Sequence, residues 1–258
     1  MTDEDISLAE KRVYGDAGTA TTIFVASETG LLRVSISDDI IGEFALERRG
    51  HVLDVAADDG RLAIATPEDV HVATKDGFRE TGFGPATAVS HRDGLIAAGE
   101  GRVARYDGTW TTLSELRDVR AIGGRMVAAE SGIHQLDGTH VGLEDASDVS
   151  TSATPLAATS SGLYYLANGW MRALEGSFSV VAGDEHRGHA ATADSFHEQA
   201  EDGEWRTVEL PVEEPVVGVA HGAGSYAVTE SGTVLASIGD GWRHRSVGVT
   251  DATGLAVP

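Results

Sequence analysis

All four tryptophans of the chain follow the same kind of turn. Each lies two or three residues after the Asp or Asn of an Asp-Gly or Asn-Gly pair: Asp107-Gly108-Thr109-Trp110, Asn168-Gly169-Trp170, Asp202-Gly203-Glu204-Trp205 and Asp240-Gly241-Trp242. Asp-Gly is a strong signal for a hairpin, because glycine adopts a positive φ without steric penalty. The four sites therefore predict hairpins in which an aromatic residue begins the second strand.

These hairpins belong to longer internal repeats. The stretches that begin at Ala88, Val119, Val149 and Val217 each contain four short apolar runs separated by turn residues. Runs of about four to seven residues bounded by Gly, Asp, Asn and Ser indicate antiparallel strands, since they are too short for helices. Each repeat therefore predicts a four-stranded meander.

The position that begins the fourth strand recurs along the whole chain. It is occupied by Ile40 or Ile41, Phe78, Trp110, His140, Trp170, Trp205 and Trp242, at intervals of 30 to 38 residues. Seven such repeats predict an all-β protein: a β-propeller of seven four-stranded blades, formed by residues 21–258 as a single domain with no helix longer than about two turns. The stretch from Phe178 to Leu210 is irregular, so six blades is the alternative. The aromatic side chains are expected to cover the seams between blades.

The two ends of the repeat array predict how the ring closes. Residues 21–27 match the second strands of the other repeats, and residues 251–258 match their first strands. The C-terminal strand is therefore expected to pair into the first blade as its innermost strand. Residues 1–20 form an N-terminal segment that fits no strand position.

Charge and cysteine content limit the classes of function. The chain has 41 acidic and 19 basic residues, a net charge of −22, two lysines and no cysteine. The missing cysteines exclude disulfides, thiolate metal sites and a cysteine nucleophile. The charge is typical of a halophilic archaeal protein, with docking to a basic partner as the alternative explanation, and it disfavours binding to nucleic acid. The acidic N-terminus and the lack of a long apolar run favour a cytoplasmic protein without membrane contact.

Two resemblances agree with the predicted fold. The Asp-Gly-x-Trp turn partly resembles the Asp-box of sialidase-type (BNR) repeat propellers, although the Ser of that motif is absent and Asp is adjacent to Gly. The Asp-box is a structural element in those proteins. The whole chain, with its acidic, lysine-poor composition and the stretch Glu-Lys-Arg-Val-Tyr-Gly-Asp at residues 10–16, is similar to a family of haloarchaeal β-propeller proteins. Neither resemblance implies a reaction.

The sequence predicts no catalytic residues, metal site or cofactor. A sialidase-like site needs three arginines near the central axis, but Arg120 is the only arginine on a predicted innermost strand. The tyrosines fall on second or third strands: Tyr106, Tyr164, Tyr165 and Tyr226. Four histidines in or near predicted first turns are expected to be solvated polar residues rather than metal ligands: His91, His186, His189 and His221.

Acidic residues concentrate in the loops of one predicted face. The turns between second and third strands contain Glu28, Glu100, Glu130 and Glu230, and the connections between blades contain Asp118, Asp148 and Asp251. Loops on a rigid scaffold are where propellers usually bind ligands. The sequence therefore favours a monomeric, non-catalytic interaction scaffold that binds an unknown protein or small ligand through these seven residues. The alternative is a hydrolase or lyase that uses carboxylates at the channel mouth, with or without a bound cation.

Overall fold

Seven antiparallel sheets make up the part of the chain that is described in the computed structural model, which comprises residues 20–258 except 39, 92, 93, 201 and 240. Each sheet has four strands, and no helix occurs among the described residues. The seven-bladed, all-β architecture is confirmed. The N-terminal segment lies outside the described residues except for Ala20.

The first three blades follow one another along the chain. Blade 1 contains β1 (Thr21–Ser27), β2 (Gly30–Ser37) and β3 (Ile40–Arg49), blade 2 contains β4 (Asp54–Asp58), β5 (Arg61–Ala65), β6 (Val70–Thr74) and β7 (Gly77–Glu80), and blade 3 contains β8 (Ala88–Ser90), β9 (Leu95–Gly99), β10 (Arg102–Tyr106) and β11 (Trp110–Ser114). Within blades 2 and 3 each strand pairs with the next one in sequence. This is the meander that the repeats predict.

The remaining blades repeat the pattern. Blade 4 contains β12 (Val119–Gly123), β13 (Met126–Ala129), β14 (Gly132–Gln135) and β15 (His140–Gly142), and blade 5 contains β16 (Ala146–Ser150), β17 (Leu156–Thr159), β18 (Gly162–Leu166) and β19 (Trp170–Glu175). Blade 6 contains β20 (Phe178–Gly183), β21 (Gly188–Thr192), β22 (Phe196–Gln199) and β23 (Trp205–Val208), and blade 7 contains β24 (Val216–His221), β25 (Ser225–Thr229), β26 (Thr233–Ser237) and β27 (Arg243–Ser246). The irregular stretch thus forms a complete blade 6.

The ring closes through the C-terminal strand. β28 (Ala252–Ala256) pairs antiparallel with β1, with Leu255 opposite Val25, so that blade 1 has the order β28-β1-β2-β3. Leu255 also packs in the same apolar cluster as Tyr226 of blade 7. The predicted closure is confirmed.

The core is divided among the seams between neighbouring blades. The indole N–H of Trp110 donates to the carbonyl of Thr81 in blade 2 at 3.2 Å, and that of Trp170 donates to Val141 in blade 4 at 3.0 Å. Trp242 lies against Phe196 of blade 6, with ring centroids 5.4 Å apart. These aromatic residues therefore cover the seam with the preceding blade, as the sequence predicts.

The Asp-Gly turns that precede the outer strands have the expected backbone. Gly108 and Gly203 have φ values of 75° and 85°, a region that suits glycine. The Asp202 carboxylate accepts a hydrogen bond from the Glu204 amide at 3.0 Å.

No helix among the described residues is long and apolar enough to cross a membrane.

Candidate functional site: the acidic loop face and the central channel

Two sets of loops share one face of the ring. Because the strands of each blade alternate in direction, the turns between second and third strands lie on the same side as the connections between blades. We call this side the acidic loop face. It holds six of the seven predicted site residues, all of them exposed: Glu28, Glu100, Asp118, Glu130, Glu230 and Asp251.

Main-chain hydrogen bonds join these loops to one another. The Glu130 amide donates to the Asp118 carbonyl at 3.2 Å, and the Glu130 carbonyl accepts from the Asp145 amide at 2.9 Å. Glu230 is held in the same way, because its amide donates to Pro215 and its carbonyl accepts from Ala252, both at 3.0 Å. The backbone that carries these glutamates is therefore fixed between two connections.

The backbone of the other loops on this face is also constrained. The Glu28 amide donates to the Asp251 carbonyl at 3.2 Å. Asp118 and Asp251 have φ values of 52° and 55°, and Glu100 has a φ of 50°. Aspartate tolerates this left-handed region, whereas glutamate adopts it less often. Glu100 is thus held in a backbone conformation that its residue type disfavours.

Three other carboxylates of this face are engaged within the protein. Asp145 forms an ion pair with Arg120 at 2.6 Å, and hydrogen bonds from Arg120 and Ser160 lower the pKa of Asp145. Hydrogen bonds from the hydroxyls of Ser231 and Thr229 lower the pKa of Glu214. Within the described residues, the side chains of Glu28, Glu130 and Glu230 have no such partner.

Asp69 is the third carboxylate of this face that is bound within the protein, and it accepts more hydrogen bonds than Asp145 or Glu214. Burial acts to raise its pKa, but amide hydrogen bonds from the Gly82–Gly84 connection and from Val70 outweigh burial and lower the pKa. Asp69 therefore holds the connection to blade 3 and is not available to a ligand.

The placement predicted for Asp148 is wrong. Asp148 lies inside β16, on the innermost strand of blade 5, and not in a connection between blades. Its Oδ1 accepts from the Val149 amide at 2.8 Å and its Oδ2 from the Val181 amide of blade 6 at 2.9 Å. Innermost strands leave amides unpaired at the free edge of the sheet, and this carboxylate accepts from two of them.

Asp54 is the counterpart of Asp148, and sequence reasoning missed it. It occupies the equivalent position of β4 and accepts from the amides of Val55 and Val89, both at 2.8 Å. Both aspartates directly precede a valine on an innermost strand: Asp54-Val55 and Asp148-Val149. This shared dipeptide is the signal that an alignment of the innermost strands reveals.

The innermost strands of all seven blades line a central cavity of about 680 Å³. Asp54 and Asp148 lie half-buried in its wall. Burial, and to a smaller extent the charge of Asp148, raise the pKa of Asp54 to about 7 against its amide hydrogen bonds. Burial raises the pKa of Asp148 to about 6. Arg120 is the only arginine on the seven innermost strands.

The predicted turn histidines are not uniformly solvated. His186 is exposed, but His91, His189 and His221 are largely shielded from solvent. His189 Nδ1 and His221 Nε2 are 2.8 Å apart across the seam between blades 6 and 7. Beside them, the Arg187 guanidinium binds the Asp184 carboxylate at 2.6 and 3.0 Å. Among the described residues, no three His, Cys, Asp or Glu side chains come together in a way that would hold a metal ion.

Solved structures of other proteins share the fold at low sequence identity. The computationally designed Ika8 protein is 12% identical over 92% of each chain, with a TM-score of 0.61. YCF48, solved bound to D1 peptide, is 14% identical over 77% of this chain and 82% of that chain, with a TM-score of 0.54. AztD from Citrobacter koseri is 13% identical over 84% of this chain and 78% of that chain, also with a TM-score of 0.54. At these identities the likeness shows the fold alone.

Sequence comparisons give a narrower assignment. No curated protein sequence matches the chain. The model of the HVO_0234-like β-propeller family matches residues 7–258, which includes the stretch at residues 10–16 that precedes blade 1. The chain therefore belongs to the HVO_0234-like β-propeller family.

Proposed function

We propose that this protein is a non-catalytic interaction scaffold that binds a positively charged partner protein or small ligand on the acidic loop face. The observation that carries this proposal is a set of exposed carboxylates without protein partners on loops whose backbones are hydrogen-bonded to one another. Glu28, Glu130 and Glu230 represent this set in blades 1, 4 and 7.

Rigid presentation of these carboxylates favours binding. A surface that is already ordered loses little conformational entropy when a partner docks. The carboxylates attract a cationic partner over distance and exclude acidic ones. Glu100 adds support, because a disfavoured backbone conformation at an exposed charged residue is a common feature of binding loops.

The fold provides a precedent for this type of function. YCF48 was solved bound to D1 peptide, so a propeller with a similar fold acts as a platform for a peptide. The precedent concerns architecture only, because fold by itself does not specify a ligand.

We further propose that the protein works in a cytoplasm with molar salt. The net charge of −22 and the two lysines support this proposal, because salt at that concentration screens the self-repulsion of an acidic chain.

A second candidate function is hydrolysis or elimination at the channel carboxylates. It is favoured by the pKa of Asp54, raised to about 7, and that of Asp148, raised to about 6, since a general acid near neutral pH needs such values. Both carboxylates, however, already accept two amide hydrogen bonds each. This arrangement supports a structural role and favours the scaffold.

The scaffold proposal is tested by capture from a native lysate in molar KCl. The bait variant carries Glu28→Gln, Glu130→Gln and Glu230→Gln. The control bait carries Asp76→Asn, Asp107→Asn and Glu185→Gln, which are exposed carboxylates on turns of the opposite face. We expect the same proteins to be captured by wild type and control and to be lost with the first variant.

Equal capture by both variants would exclude the acidic loop face. Turnover in a glycosidase or lactonase panel that disappears with Asp54→Asn or Asp148→Asn would instead favour the enzyme.

A further inference from the structure

The outer strand of blade 1 differs from the other six outer strands. β3 (Ile40–Arg49) has ten residues, whereas the outer strands of blades 2 to 7 have three to six: β7, β11, β15, β19, β23 and β27. Its outer edge pairs with no other strand among the described residues. Near the start of β3, the Arg245 guanidinium of blade 7 donates to the carbonyls of Ile41 and Gly42. The part of the edge that can offer unpaired backbone groups to a second strand therefore lies beyond Gly42.

This edge also carries most of the exposed apolar side chains. Of the five large hydrophobic residues that are exposed in the described chain, Ile40, Phe44 and Leu46 lie on β3, with 67%, 39% and 37% of their surface accessible. The other two, Tyr165 and Met171, lie on blade 5. A cluster of exposed apolar side chains on an edge strand marks an interaction surface.

The charge of β3 is balanced, in contrast with the chain as a whole. It carries Glu43 near its middle, Glu47 paired with Arg33 of β2, and Arg48 and Arg49 at its end. Glu43 and Arg49 are both exposed. The rest of the chain therefore contributes the entire net charge of −22, and β3 itself adds no net charge to a contact between two copies.

We propose that β3 pairs antiparallel with β3 of a second copy, with the two-fold axis at Leu46. In this register Leu46 lies opposite Leu46 of the second copy. The bulge that Glu47 forms against β2 is not carried across the new pair, so that Glu43 lies opposite Arg49 of the second copy. Antiparallel reversal brings the acidic middle of one strand to the basic end of the other. The strand is therefore complementary to itself, as a two-fold interface requires.

The dimer joins two four-stranded blades into one eight-stranded sheet. It departs from the monomer expected from the sequence, and it depends on salt. In molar KCl the Debye length is about 3 Å, so repulsion between two acidic molecules is screened, while the hydrogen bonds between the strands and the Leu46 contact persist. Association is thus stronger in molar salt than in dilute buffer.

The test is the solution mass in molar KCl, measured by light scattering from micromolar to millimolar protein. We expect the mass of the wild type to rise from 26.9 kDa toward twice that value. Leu46→Lys places two like charges at the two-fold axis and keeps the protein monomeric. Met171→Lys, the same change at an exposed residue of blade 5, leaves association intact. A wild type that stays monomeric, or a Leu46→Lys variant that associates like wild type, overturns the proposal.

A charge exchange tests the register. Glu43→Arg places two arginines opposite each other and weakens association, while the double variant Glu43→Arg/Arg49→Glu restores it. Because the chain has no cysteine, Leu46→Cys should form a disulfide-linked dimer on oxidation, and Met171→Cys should not. Equal cross-linking of the two cysteine variants, or no restoration in the double variant, contradicts the proposed pairing.

Discussion

His221 Nε2 and His189 Nδ1 lie 2.8 Å apart across the seam between blades 6 and 7. One imidazole must donate and the other accept, so at least one of the two facing nitrogens carries no proton. Burial, the neighbouring His221 and Arg187 lower the pKa of His189 to about 3. Burial and Arg187 outweigh the opposing effect of Asp184 and lower the pKa of His221 to about 4. Both side chains are therefore neutral at physiological pH.

This pair predicts a loss of stability in acid. The pKa of each histidine is lower in the folded than in the unfolded protein, so the unfolded state binds more protons below about pH 6.5 and the free energy of unfolding falls as the pH drops toward 4. The charges around the pair are Asp184, Arg187 and Glu198, whose Oε1 is 3.9 Å from His189 Nε2. The measurement is urea unfolding at constant salt between pH 4 and 8.

The channel aspartates Asp54 and Asp148 affect the pH dependence of stability in the opposite direction. Because their pKa values are raised in the folded protein, stability falls as the pH rises from about 4 toward 6 or 7. Variants of the histidines are therefore needed to isolate the contribution of the imidazole pair. The double variant His189→Ala/His221→Ala should lower stability at pH 7 and should lose less further stability in acid than wild type. His186→Ala, at an exposed position, should behave as wild type. A double variant with the wild-type slope would show that the imidazole pair does not govern the acid response.

Replacing a tryptophan at a seam between blades should lower the stability of the protein more than replacing its exposed neighbour. Trp170→Ala removes the hydrogen bond to the Val141 carbonyl and the cover over the seam between blades 4 and 5. We expect it to lower the free energy of unfolding by about 3 kcal/mol. Met171→Ala, at the adjacent exposed residue, should cost little. Equal costs in thermal unfolding would contradict the structural role of the tryptophan.

Ring closure predicts an effect of the last strand on cooperativity. Deleting residues 251–258 removes β28 and leaves β1 without its inner partner. We expect a lower and broader thermal transition, because neighbouring blades stabilise one another only in a closed array. A deletion of Pro258 alone, which lies beyond β28 and is exposed, is the control and should melt like wild type. A sharp wild-type transition in the longer deletion would refute closure by this strand.

The net charge predicts stabilisation by salt. As KCl rises from tenths of molar to molar, screening and then preferential hydration favour the compact state. We expect the melting temperature to increase steeply over that range. A flat melting temperature would contradict the proposal that the protein works in molar salt.

The sequence predicts the ring because its signals are local. Asp-Gly turns and aromatic strand starts, such as Asp107-Gly108 before Trp110, report on the chain within a few residues. The contacts around the candidate site join residues that are far apart in the sequence. Asp148 reaches the amide of Val181, and His189 meets His221, both in the next blade. Such partners depend on the register between blades, which the sequence does not encode locally.

The same limitation applies to the acidic loop face. In sequence, Asp145 and Glu130 are both acidic loop residues next to a strand. Only the structure shows that Asp145 is paired with Arg120 while Glu130 is free of protein partners among the described residues. The sequence therefore predicts the acidic loops, and the structure distinguishes their paired carboxylates from the unpaired ones among the described residues.

Site-specific photo-crosslinking in a native lysate tests the binding proposal most directly. A photoreactive amino acid replaces Thr29, beside Glu28 on the acidic loop face, in one variant and Asp107 on the opposite face in another, both exposed. The account predicts a discrete cross-linked partner from position 29 in molar KCl and none from position 107. Cross-links from position 107 alone, or the same products from both positions, would contradict binding through the acidic loop face.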